Sequence, residues 1–398
     1  MASPGKRVLI IVENLPVPFD KRVWNEATTL TRAGYTVSVI CPTGKGYESR
    51  HEILEGVAIY RHPLPPEGNG AMGYLREYSA ALWWEFVLSV RVLRERGFDA
   101  IHACNPPDLI FLIGAFYKLF GKRFLFDHHD INPELYEAKF GRKDLLYRLI
   151  VLCERLTFRT ADISIATNQS YKEIAVARGG MDPGKVYIVR SGPNVSKFRP
   201  VAPCAELKRG FSYLVGYVGV MGKQEGLDYL LRTVHTIVQE RGRKDVLFVL
   251  IGSGTEFSSL QTYAKDLGVA DYVQFTGRIS DAELLSYLST AEVCVNPDVA
   301  TEMNDKSTMN KIMEYMALGK PIVQFDLTEG RRSADEASLY ADRNDPVDFA
   351  EKILELLADP TRRARMGQIG KERVENELAW EYSAEVLLQS YENLFANF

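Results

Sequence analysis

The segment from Asn304 to Pro321 carries the strongest chemical signal in the sequence. Ser307 and Thr308 precede a helical pattern, and the hydroxyl of either residue can cap the amino end of that helix. The free backbone amides and the dipole of such a helix favour an anion, for example a diphosphate. Lys311 lies in the first turn, where the helix dipole disfavours a cation unless an anion such as phosphate is bound beside it. The Glu314 carboxylate lies one turn later and could bind a ribose diol. A plain helix with a solvated Lys and Glu is the alternative.

Two glycine-rich turns follow predicted strands in the same half of the sequence. Gly219 and Gly222 follow the strand 214–218, and Gly252 follows the strand 246–251. Glycine lets the backbone approach a ligand closely. The spacing matches neither a Walker loop nor the dinucleotide fingerprint G-x-G-x-x-G, so each turn alone is a weak signal.

Polar residues also cluster in the first half of the sequence. Asp127 to Asp130, with two histidines between them, follow a predicted strand at 124–126. Four adjacent residues cannot converge on one ion, so this pattern favours a histidine that binds a sugar hydroxyl or moves a proton, and we predict no metal site. In the first loop, Asp20 and Arg22 could contact an acceptor or a phosphate, and a helix that starts with an Asp20 cap is the alternative. No Gly-x-Ser-x-Gly elbow is present, which disfavours a hydrolase.

The elements that must position these residues alternate between strands and helices. One run extends from the strand at 7–12 to the strand at 163–166, and a second run starts at 214–218. A segment rich in Gly and Pro, 190–200, separates the two runs. This alternation predicts the α/β class, with two doubly wound parallel sheets, a cleft between them and ligands at the carboxyl ends of the strands.

Composition sets further limits. A chain of 398 residues suits two domains, and its net charge of −4 gives no electrostatic reason to bind nucleic acid. Hydrophobic residues at 46% and charged residues at 25% exclude wholesale disorder. The five cysteines have no metal-like spacing, and the sequence shows neither a signal peptide nor a long apolar stretch. We therefore expect a soluble, reduced, cytoplasmic protein.

The charge is unevenly distributed along the chain. Residues 1–200 hold 27 Lys and Arg against 21 Asp and Glu, whereas residues 201–398 hold 21 against 31. The helical pattern at 140–159 places three arginines on one face beside apolar residues, and a tryptophan pair and further arginines occur in the preceding long helix. A basic amphipathic surface predicts weak attachment to anionic lipid, and ordinary half-buried helices are the alternative. These residues are Arg148, Arg155, Arg159, Trp83, Trp84, Arg91, Arg94 and Arg96.

The segment 314–323 reads Glu-Tyr-Met-Ala-Leu-Gly-Lys-Pro-Ile-Val. In this segment the sequence resembles the family 4 retaining glycosyltransferases of the GT-B fold. The resemblance covers nearly the whole chain, and the ordered set of motifs is more specific than any one of them. The segments 304–311 and 219–222 resemble in particular a bacterial subgroup found with exopolysaccharide and O-antigen assembly enzymes. The other motifs in the family's order are 7–12, 33–37, 129–130, Gly219 with Gly226, 252–254, 275–278 and the closing helix.

The resemblance implies two Rossmann-like domains with an interdomain cleft. Residues 1–195 would bind the acceptor, with 378–398 crossing back to them, and residues 200–377 would bind the nucleotide-sugar donor. The transferred sugar would be retained in its anomeric configuration and would pass to a lipid-linked or polysaccharide acceptor in cell-surface glycan synthesis. The resemblance implies neither a metal ion nor a cofactor besides the nucleotide-sugar co-substrate. It suits a cytoplasmic protein that is peripheral on the inner face of the plasma membrane.

The resemblance also implies roles for single residues. Glu314 would bind the donor ribose, and His129 with Asp130 would face the transferred sugar as the catalytic pair. Asp20 and Arg22 would lie on the acceptor side. The remaining donor-binding residues would hold the diphosphate, the nucleobase or the sugar, and they are Gly219, Gly222, Lys223, Gly252, Arg278, Asp305, Ser307, Thr308, Asn310 and Lys311.

The sequence departs from the family at three places. Lys306 occupies the position of the first of the family's two glutamates, beside Asp305. Val220 and Glu225 replace an Arg and a Lys. Lys223 or Lys311 could supply the lost charge, and we expect Lys311 to do so. The segment 15–20 replaces a glycine pair. Two alternatives to a transferase therefore stay open: a nucleotide-sugar epimerase of the same fold and a non-catalytic partner subunit of a glycosyltransferase.

Overall fold

Two units make up the chain, and the first of them combines two separate stretches of sequence. Met1–Ser191 and Ser383–Phe398 form unit 1, and Gly192–Tyr382 forms unit 2. The computed structural model describes residues 5–63, 70–195 and 198–396, without the side chains of 70–78. The division after Ser191 lies a few residues before the predicted domain end at 195, and residues 196 and 197 of the predicted linker lie outside the described residues.

Unit 1 is built on an eight-stranded sheet with the order β3-β4-β2-β1-β5-β6-β7-β8. All neighbouring strands are parallel except β3, which pairs with β4 as an antiparallel hairpin. The sequence predicted inner strands such as β1, β6 and β7 but not β3 and β8, which lie at the two edges of the sheet. The strands are β1 (Arg7–Ile11), β2 (Thr36–Pro42), β3 (His51–Leu54), β4 (Val57–His62), β5 (Ala100–Cys104), β6 (Arg123–His128), β7 (Ile163–Ala166) and β8 (Val186–Ile188).

Helices cover both faces of this sheet. The direction of the right-handed crossovers places α2, α3 and α5 on one face and α1 on the other. Helix α5 starts where the Asp144 carboxylate accepts hydrogen bonds from the amides of Leu146 and Tyr147. The helices are α1 (Lys21–Arg32), α2 (Gly70–Glu95), α3 (Phe111–Lys118), α4 (Asn132–Phe140), α5 (Leu145–Thr160) and α6 (Gln169–Ala177).

Unit 2 is built on a six-stranded parallel sheet with the order β11-β10-β9-β12-β13-β14. The chain moves outward in one direction from β9 and in the opposite direction from β12. The loops that follow these two strands therefore meet at a topological switch point, which is where doubly wound sheets bind ligands. The strands are β9 (Tyr213–Val218), β10 (Val246–Ile251), β11 (Val273–Gly277), β12 (Val293–Asn296), β13 (Ile322–Phe325) and β14 (Ser338–Ala341).

The helices of unit 2 pack on its sheet through two clusters of buried apolar side chains. Among the described residues of both units, no helix has the length and apolar character needed to cross a bilayer. Helices α7 and α14 continue into π turns at Thr236–Glu240 and Val374–Leu378. The helices are α7 (Leu227–His235), α8 (Phe257–Asp266), α9 (Asp281–Thr290), α10 (Glu302–Lys306), α11 (Asn310–Ala317), α12 (Thr328–Ala334), α13 (Pro346–Ala358) and α14 (Pro360–Arg373), and α15 (Trp380–Ala396) leads back into unit 1.

The predicted cap of α11 is wrong. Met309 is the N-cap residue of α11, in extended conformation and without a side-chain cap. Ser307 instead ends the preceding short helix α10, and its hydroxyl donates to the carbonyl of Met303 at 2.8 Å. The sequence analysis missed α10, which starts where the Thr301 side chain accepts from the amide of Asn304. This additional helical turn moves Ser307 away from the amino end of α11.

Candidate functional site

The loops after β9 and β10 in unit 2 pack against each other through backbone contacts. The amide of Gly219 donates to the carbonyl of Ile251 at 3.0 Å, and the amide of Met221 donates to the carbonyl of Ser253 at 3.2 Å. Gly252 has a φ of +132°, and a Cβ atom there would lie 1.9 Å from the carbonyl oxygen of Gly219. The predicted donor-binding glycines Gly219 and Gly252 thus lie side by side at the carboxyl end of the sheet.

Lys311 of α11 faces the same loops. Its ammonium lies 3.0 and 3.2 Å from the two carboxylate oxygens of Asp298, and 4.9 Å from the ring centre of Tyr217. Asp298 is buried, and burial raises its pKa although the charge of Lys311 acts in the opposite direction. The sequence analysis missed Asp298, whose only signal was its position just after β12. The cation expected to meet a diphosphate therefore already has a carboxylate partner within the chain.

Glu314 lies one helical turn after Lys311 and is half-buried. Burial raises the pKa of its carboxyl group to about 7, and the charge of Lys311 only partly offsets this effect. Among the residues that the structure describes, none donates a hydrogen bond to this carboxylate. Glu314 is therefore an acceptor with open hydrogen-bonding capacity, as the prediction of a ribose contact requires.

The turn after Gly219 places two more charged residues. The amide of Gly222 donates to the carboxylate of Glu225 at 3.0 Å, so this predicted donor-binding amide is already bonded. Burial raises the pKa of Glu225, which lies within electrostatic range of Lys311. Lys223 is exposed in the same 3₁₀ turn (Lys223–Glu225).

The other predicted donor-binding residues lie on the loops around α11. Arg278 and Asn310 are exposed, and Thr308 is half-buried in the loop before α11. The Asp305 carboxylate accepts hydrogen bonds from the Thr328 amide and hydroxyl, both at 2.9 Å, and pairs with Arg343 at 2.7 Å. Asp305 thus anchors the start of α12. Its predicted sugar contact stays a prediction.

In unit 1, Asp127 at the end of β6 is the centre of a buried network of charged side chains. One carboxylate oxygen accepts from Arg22 Nη2 at 2.7 Å, and the other lies 3.3 Å from His102 Nε2 and contacts His129 Nε2. Burial alone would raise the pKa of Asp127, but the Arg22 and His129 charges and the histidine hydrogen bonds outweigh it and hold this pKa well below its usual range. Asp127 is therefore ionised.

Arg22 is buried and paired within unit 1, and its predicted acceptor-side role stays a prediction. Besides Asp127, its guanidinium contacts Glu26 at 3.2 Å and donates to the carbonyl of Val189 at 2.6 Å and to Ser191 Oγ at 3.3 Å. The side chain is 9% exposed. Arg22 projects from the inward face of α1, where these carboxylates and the carbonyl already bind its donor groups, so it stabilises unit 1.

Asp20 has the alternative role considered for it. Its carboxylate accepts from the amide of Val23 at 3.1 Å and caps α1. The predicted acceptor contact of Asp20 stays a prediction, since the cap uses only one of its two oxygens.

The two adjacent histidines have different environments. His128 is buried among aromatic rings and lies 3.6 Å from Glu154, which makes it a core residue. His129 is largely buried as well, but its imidazole contacts Asp127 and Arg22, and its amide donates to Asn105 Oδ1 at 2.7 Å. Asp130 follows it, and burial raises the pKa of its carboxyl group. Of the two histidines, His129 is the one that lies with the polar network.

Two groups of potential metal ligands converge in this network: His102 with Cys104 and Asp127, and Glu26 with Asp127 and His129. Both groups include Asp127, which already pairs with the buried guanidinium of Arg22. Burial also raises the pKa of the Cys104 thiol, which disfavours the thiolate that binds metals. The side chains present here fit an arginine better than a metal ion.

Comparison with known proteins identifies the family. Residues 20–197 match the family model described as Glycosyltransferase Family 4, and residues 212–359 match the one described as Glycosyl transferases group 1. The chain belongs to the family 4 glycosyltransferases. The predicted resemblance to family 4 is thereby confirmed, and the narrower bacterial subgroup stays a prediction.

Two curated relatives illustrate the sequence similarity of this family 4 chain. It is 26% identical over 258 residues to the D-inositol 3-phosphate glycosyltransferase of Corynebacterium jeikeium, a match that covers 61% of this chain and 60% of the relative. It is 27% identical over 207 residues to a GDP-mannose-dependent monoacylated alpha-(1-6)-phosphatidylinositol monomannoside mannosyltransferase of Corynebacterium glutamicum, covering 50% and 53%. The matches span little more than half of the length of these relatives.

The fold of this family 4 chain is also that of solved structures. Sucrose-phosphate synthase from Thermosynechococcus elongatus superposes with a TM-score of 0.83 at 20% sequence identity, covering 99% of this chain and all of the other. The α/β class and the two doubly wound units expected for the GT-B fold are confirmed.

Proposed function

We propose that this chain is a retaining glycosyltransferase that moves a sugar from a nucleotide-sugar donor to a lipid-linked or polysaccharide acceptor. The observation that carries the proposal is the arrangement around α11. Lys311 and the open carboxylate of Glu314 lie on successive turns of this helix, and Lys311 faces the paired loops of Gly219 and Gly252 at the switch point of the sheet. Such a site suits a ribose joined to a diphosphate.

The leaving group of this reaction is a nucleoside diphosphate, so negative charge develops on its phosphate oxygens. Lys311 and the free amides at the start of α11 would stabilise that charge. Glu314 would hold the ribose through two hydrogen bonds. In the simplest retaining path, the acceptor attacks from the same face that the diphosphate leaves, and the departing phosphate takes the acceptor proton. We propose no metal ion for this step.

His129 and Asp130 would face the transferred sugar and the acceptor. The ionised Asp127 beside His129 fixes the orientation of its imidazole. Held in this way, the imidazole can bind a sugar hydroxyl or relay a proton, whereas His128 in the core cannot.

Of the two relatives described above, the one from Corynebacterium glutamicum is named for a lipid and so supports a lipid-linked acceptor. The Corynebacterium jeikeium relative is named for an inositol phosphate, and the Corynebacterium glutamicum relative for a phosphatidylinositol mannoside, so one acts on a phosphorylated polyol and the other on a glycolipid. The latter is also named as GDP-mannose-dependent. A cytoplasmic protein that is peripheral on the inner face of the plasma membrane and acts in cell-surface glycan synthesis is consistent with such acceptors.

Two other functions compete with transfer. A nucleotide-sugar epimerase needs several acid–base groups around one sugar. Because Asp127 pairs with Arg22, the candidates among the described residues of this cluster are His129, Asp130 and Asp20. A non-catalytic partner subunit is favoured by the pairing of Lys311 with Asp298, which reduces the positive charge of the donor site.

A thermal-shift screen against nucleoside diphosphates and nucleotide sugars tests the donor site. A ligand at about 100 times its Kd should add about 2.7 kcal/mol to the free energy of unfolding. Glu314→Ala should weaken binding by roughly 1–3 kcal/mol, the range for losing a charged hydrogen-bond partner. Glu336→Ala, which removes an exposed carboxylate in the same unit, is the matched control and should leave binding unchanged.

Product analysis separates the three functions. A transferase releases nucleoside diphosphate and forms a glycoside with the anomeric configuration of the donor, which nuclear magnetic resonance identifies. An epimerase converts the nucleotide sugar without an acceptor. Binding without turnover of any donor and acceptor pair would favour the partner subunit, and no binding by wild-type protein would contradict the donor site itself.

A further inference from the structure

The loop after β5 contains a buried asparagine whose side chain binds the backbone of His129 and Asp130. Asn105 is 2% exposed and directly follows the last residue of β5. Its Oδ1 atom accepts from the amide of His129 at 2.7 Å and from the amide of Asp130 at 3.2 Å. Its Nδ2 atom donates to the carbonyl of Asp130 at 2.7 Å. One side chain therefore holds the backbone of both residues of the proposed catalytic pair.

The partners of Asn105 determine how its amide group is oriented. A backbone N–H group can only donate, so the atom that binds the two N–H groups is the oxygen. A carbonyl can only accept, so the atom that binds the Asp130 carbonyl is the nitrogen, whose second proton goes to Asp108 Oδ1 at 2.9 Å. Asn105 thus uses two acceptor sites and two donor protons, a set that neither alanine nor aspartate can provide.

Further hydrogen bonds anchor Asn105 to the helices of unit 1. Asp108, which binds Asn105 through one carboxylate oxygen, accepts from Asn132 Nδ2 at the start of α4 through the other, at 2.8 Å. The hydroxyl of Thr157 in α5 donates to the carbonyl of Asp108 at 2.5 Å. Because these partners belong to α4 and α5, the asparagine holds the loop after β6 against a rigid support.

The imidazole of His129 is fixed independently of its backbone. Its Nε2 atom contacts the carboxylate of Asp127 and lies 2.9 Å from Nε of Arg22. Within the part of the chain that the structure describes, Nδ1 of His129 has no hydrogen-bond partner. Asn105 at the backbone and Asp127 at the ring therefore leave Nδ1 as the ring nitrogen that can meet a substrate.

We propose that Asn105 is a positioning residue for the glycosyl transfer proposed above, on which this inference rests. It fixes the backbone of His129 and Asp130, and thereby the direction in which the imidazole and the Asp130 carboxyl group meet the sugar. Asn105 acts through these two residues, since its own donor and acceptor groups are all used within unit 1. In a purely structural role, by contrast, turnover would change only as far as stability does.

Hydrogen exchange of the backbone amides tests the geometry without a substrate. In wild-type protein the amides of His129 and Asp130 should exchange slowly, because they bind a buried acceptor. Asn105→Ala removes that acceptor and should accelerate the exchange of both amides by roughly tenfold or more. Asn132→Ala, which removes the other amide group bound to Asp108, is the matched control and should leave their exchange unchanged. Rapid exchange of both amides in wild-type protein would overturn the proposal.

Turnover tests the catalytic consequence, and its probe is a nucleotide sugar from the thermal-shift panel with water as the acceptor. Asn105→Ala should lower kcat by roughly tenfold to 100-fold, the scale for a misplaced catalytic group. Its thermal shifts with nucleoside diphosphates should equal those of wild-type protein, because the predicted donor-binding residues lie in unit 2. Asn132→Ala also removes a hydrogen bond to Asp108 and should lower the denaturation midpoint, but it should leave kcat unchanged.

An exchanged pair keeps the proposal testable if Asn105→Ala fails to fold. Asn105→Asp with Asp108→Asn preserves the net charge and a hydrogen bond between the two positions, and the new carboxylate can still accept from both backbone amides. That carboxylate has no proton for the Asp130 carbonyl, however, and repels it. The pair should therefore have a higher denaturation midpoint than Asn105→Ala, while its kcat still falls by roughly tenfold. A kcat that follows the midpoint through all these variants would make Asn105 a structural residue and overturn the proposal.

The outcomes separate this inference from the proposed function. Wild-type protein that gives neither a thermal shift nor turnover with any nucleotide sugar contradicts the proposed function, and the role of Asn105 in turnover is overturned with it. Wild-type turnover that Asn105→Ala and the exchanged pair both retain overturns the role of Asn105 alone. A loss of kcat with unchanged nucleoside diphosphate shifts supports the positioning role.

Discussion

Arg22 Nη2 donates to a carboxylate oxygen of Asp127 at 2.7 Å, across 105 residues of sequence, in the interior of unit 1. Glu26 also contacts the guanidinium, and burial together with the charge of Asp127 raises the pKa of Glu26 well above its usual value. One arginine thus faces two buried carboxyl groups whose pKa values are shifted in opposite directions. The pair joins α1 to the end of β6, directly beside His129.

Asp127→Asn should destabilise the protein by about 3–5 kcal/mol, because it leaves the buried charge of Arg22 without its ionised partner. The free energy of unfolding, from denaturant titration at neutral pH, measures this loss. Glu55→Gln, which breaks the exposed Arg32–Glu55 pair, is the control and should change stability by less than about 1 kcal/mol. Equal effects of the two substitutions would show that the buried pair contributes little.

The affinity for a nucleotide sugar should depend on pH through Glu314. Its pKa in the free protein is about 7, and a ribose diol binds the ionised carboxylate, so binding below pH 7 must release a proton. As the pH rises toward 7, the Kd should therefore fall by up to about tenfold per pH unit. Above pH 7 the Kd should become constant. Glu314→Gln should remove this dependence, which calorimetry at several pH values measures. A nucleotide sugar is the suitable ligand because its diphosphate diester does not titrate in this range.

The same group should make the unliganded protein less stable as pH rises. The folded-state pKa of Glu314 lies above the usual value near 4.3, so the folded state binds more protons than the unfolded state between these values. Stability should thus decrease from about pH 4 to pH 7 through this residue. The stability of Glu314→Gln relative to wild-type protein should therefore increase as pH rises over this interval, and parallel denaturation midpoints would contradict the raised pKa.

Lys311 and Asp298 should have opposite effects on diphosphate binding. Lys311→Gln removes the cation and should weaken nucleoside diphosphate binding by about 1.5–3 kcal/mol. Asp298→Asn releases the cation from its partner and should strengthen binding by about 1 kcal/mol or more. Lys352→Gln, on α13, controls for net charge and should have no effect on calorimetric affinity. Weaker binding by Asp298→Asn would instead show that the pair positions the ammonium.

Gly252→Ala should disrupt the paired loops of unit 2. Its Cβ atom would overlap the carbonyl oxygen of Gly219, whereas at Gly242, which also has a positive φ, no atom lies within 4 Å of such a Cβ. We expect Gly252→Ala to cost about 1–3 kcal/mol more than Gly242→Ala in thermal unfolding, because only the former adds overpacking to backbone strain. Nucleotide binding should be lost in the former variant alone.

The fold was predictable because buried strands are short apolar runs between polar segments. The bounds of β7 and β10 were predicted to the residue, since polar or small residues border both runs. The edge strands β3 and β8 were not predicted, because their pairing depends on neighbours rather than on their own pattern. Short α10 was also missed, and the cap of α11 was therefore placed on Ser307 or Thr308 instead of Met309.

The candidate site was predictable only in part, since its charges pair over long sequence distances. The glycines, Lys311 and Glu314 lie on loops and a helix that the local pattern revealed. Arg22 and Asp127 became partners only through the arrangement of α1 and β6, and Asp298 reached Lys311 only through the loop after β12. A single sequence contains no local signal for such pairs.

Unit 1 is formed by two stretches that are far apart in the sequence, and this has a consequence for biosynthesis. Tyr391 of α15 donates to or accepts from His102 at 2.8 Å inside unit 1, and its ring packs on Tyr35. A ribosome must therefore complete all of unit 2 before the residues that close the interior of unit 1 emerge. A premature stop codon after residue 382 would leave unit 2 whole while exposing part of the buried surface of the half made first, so quality control by proteases should remove such a product.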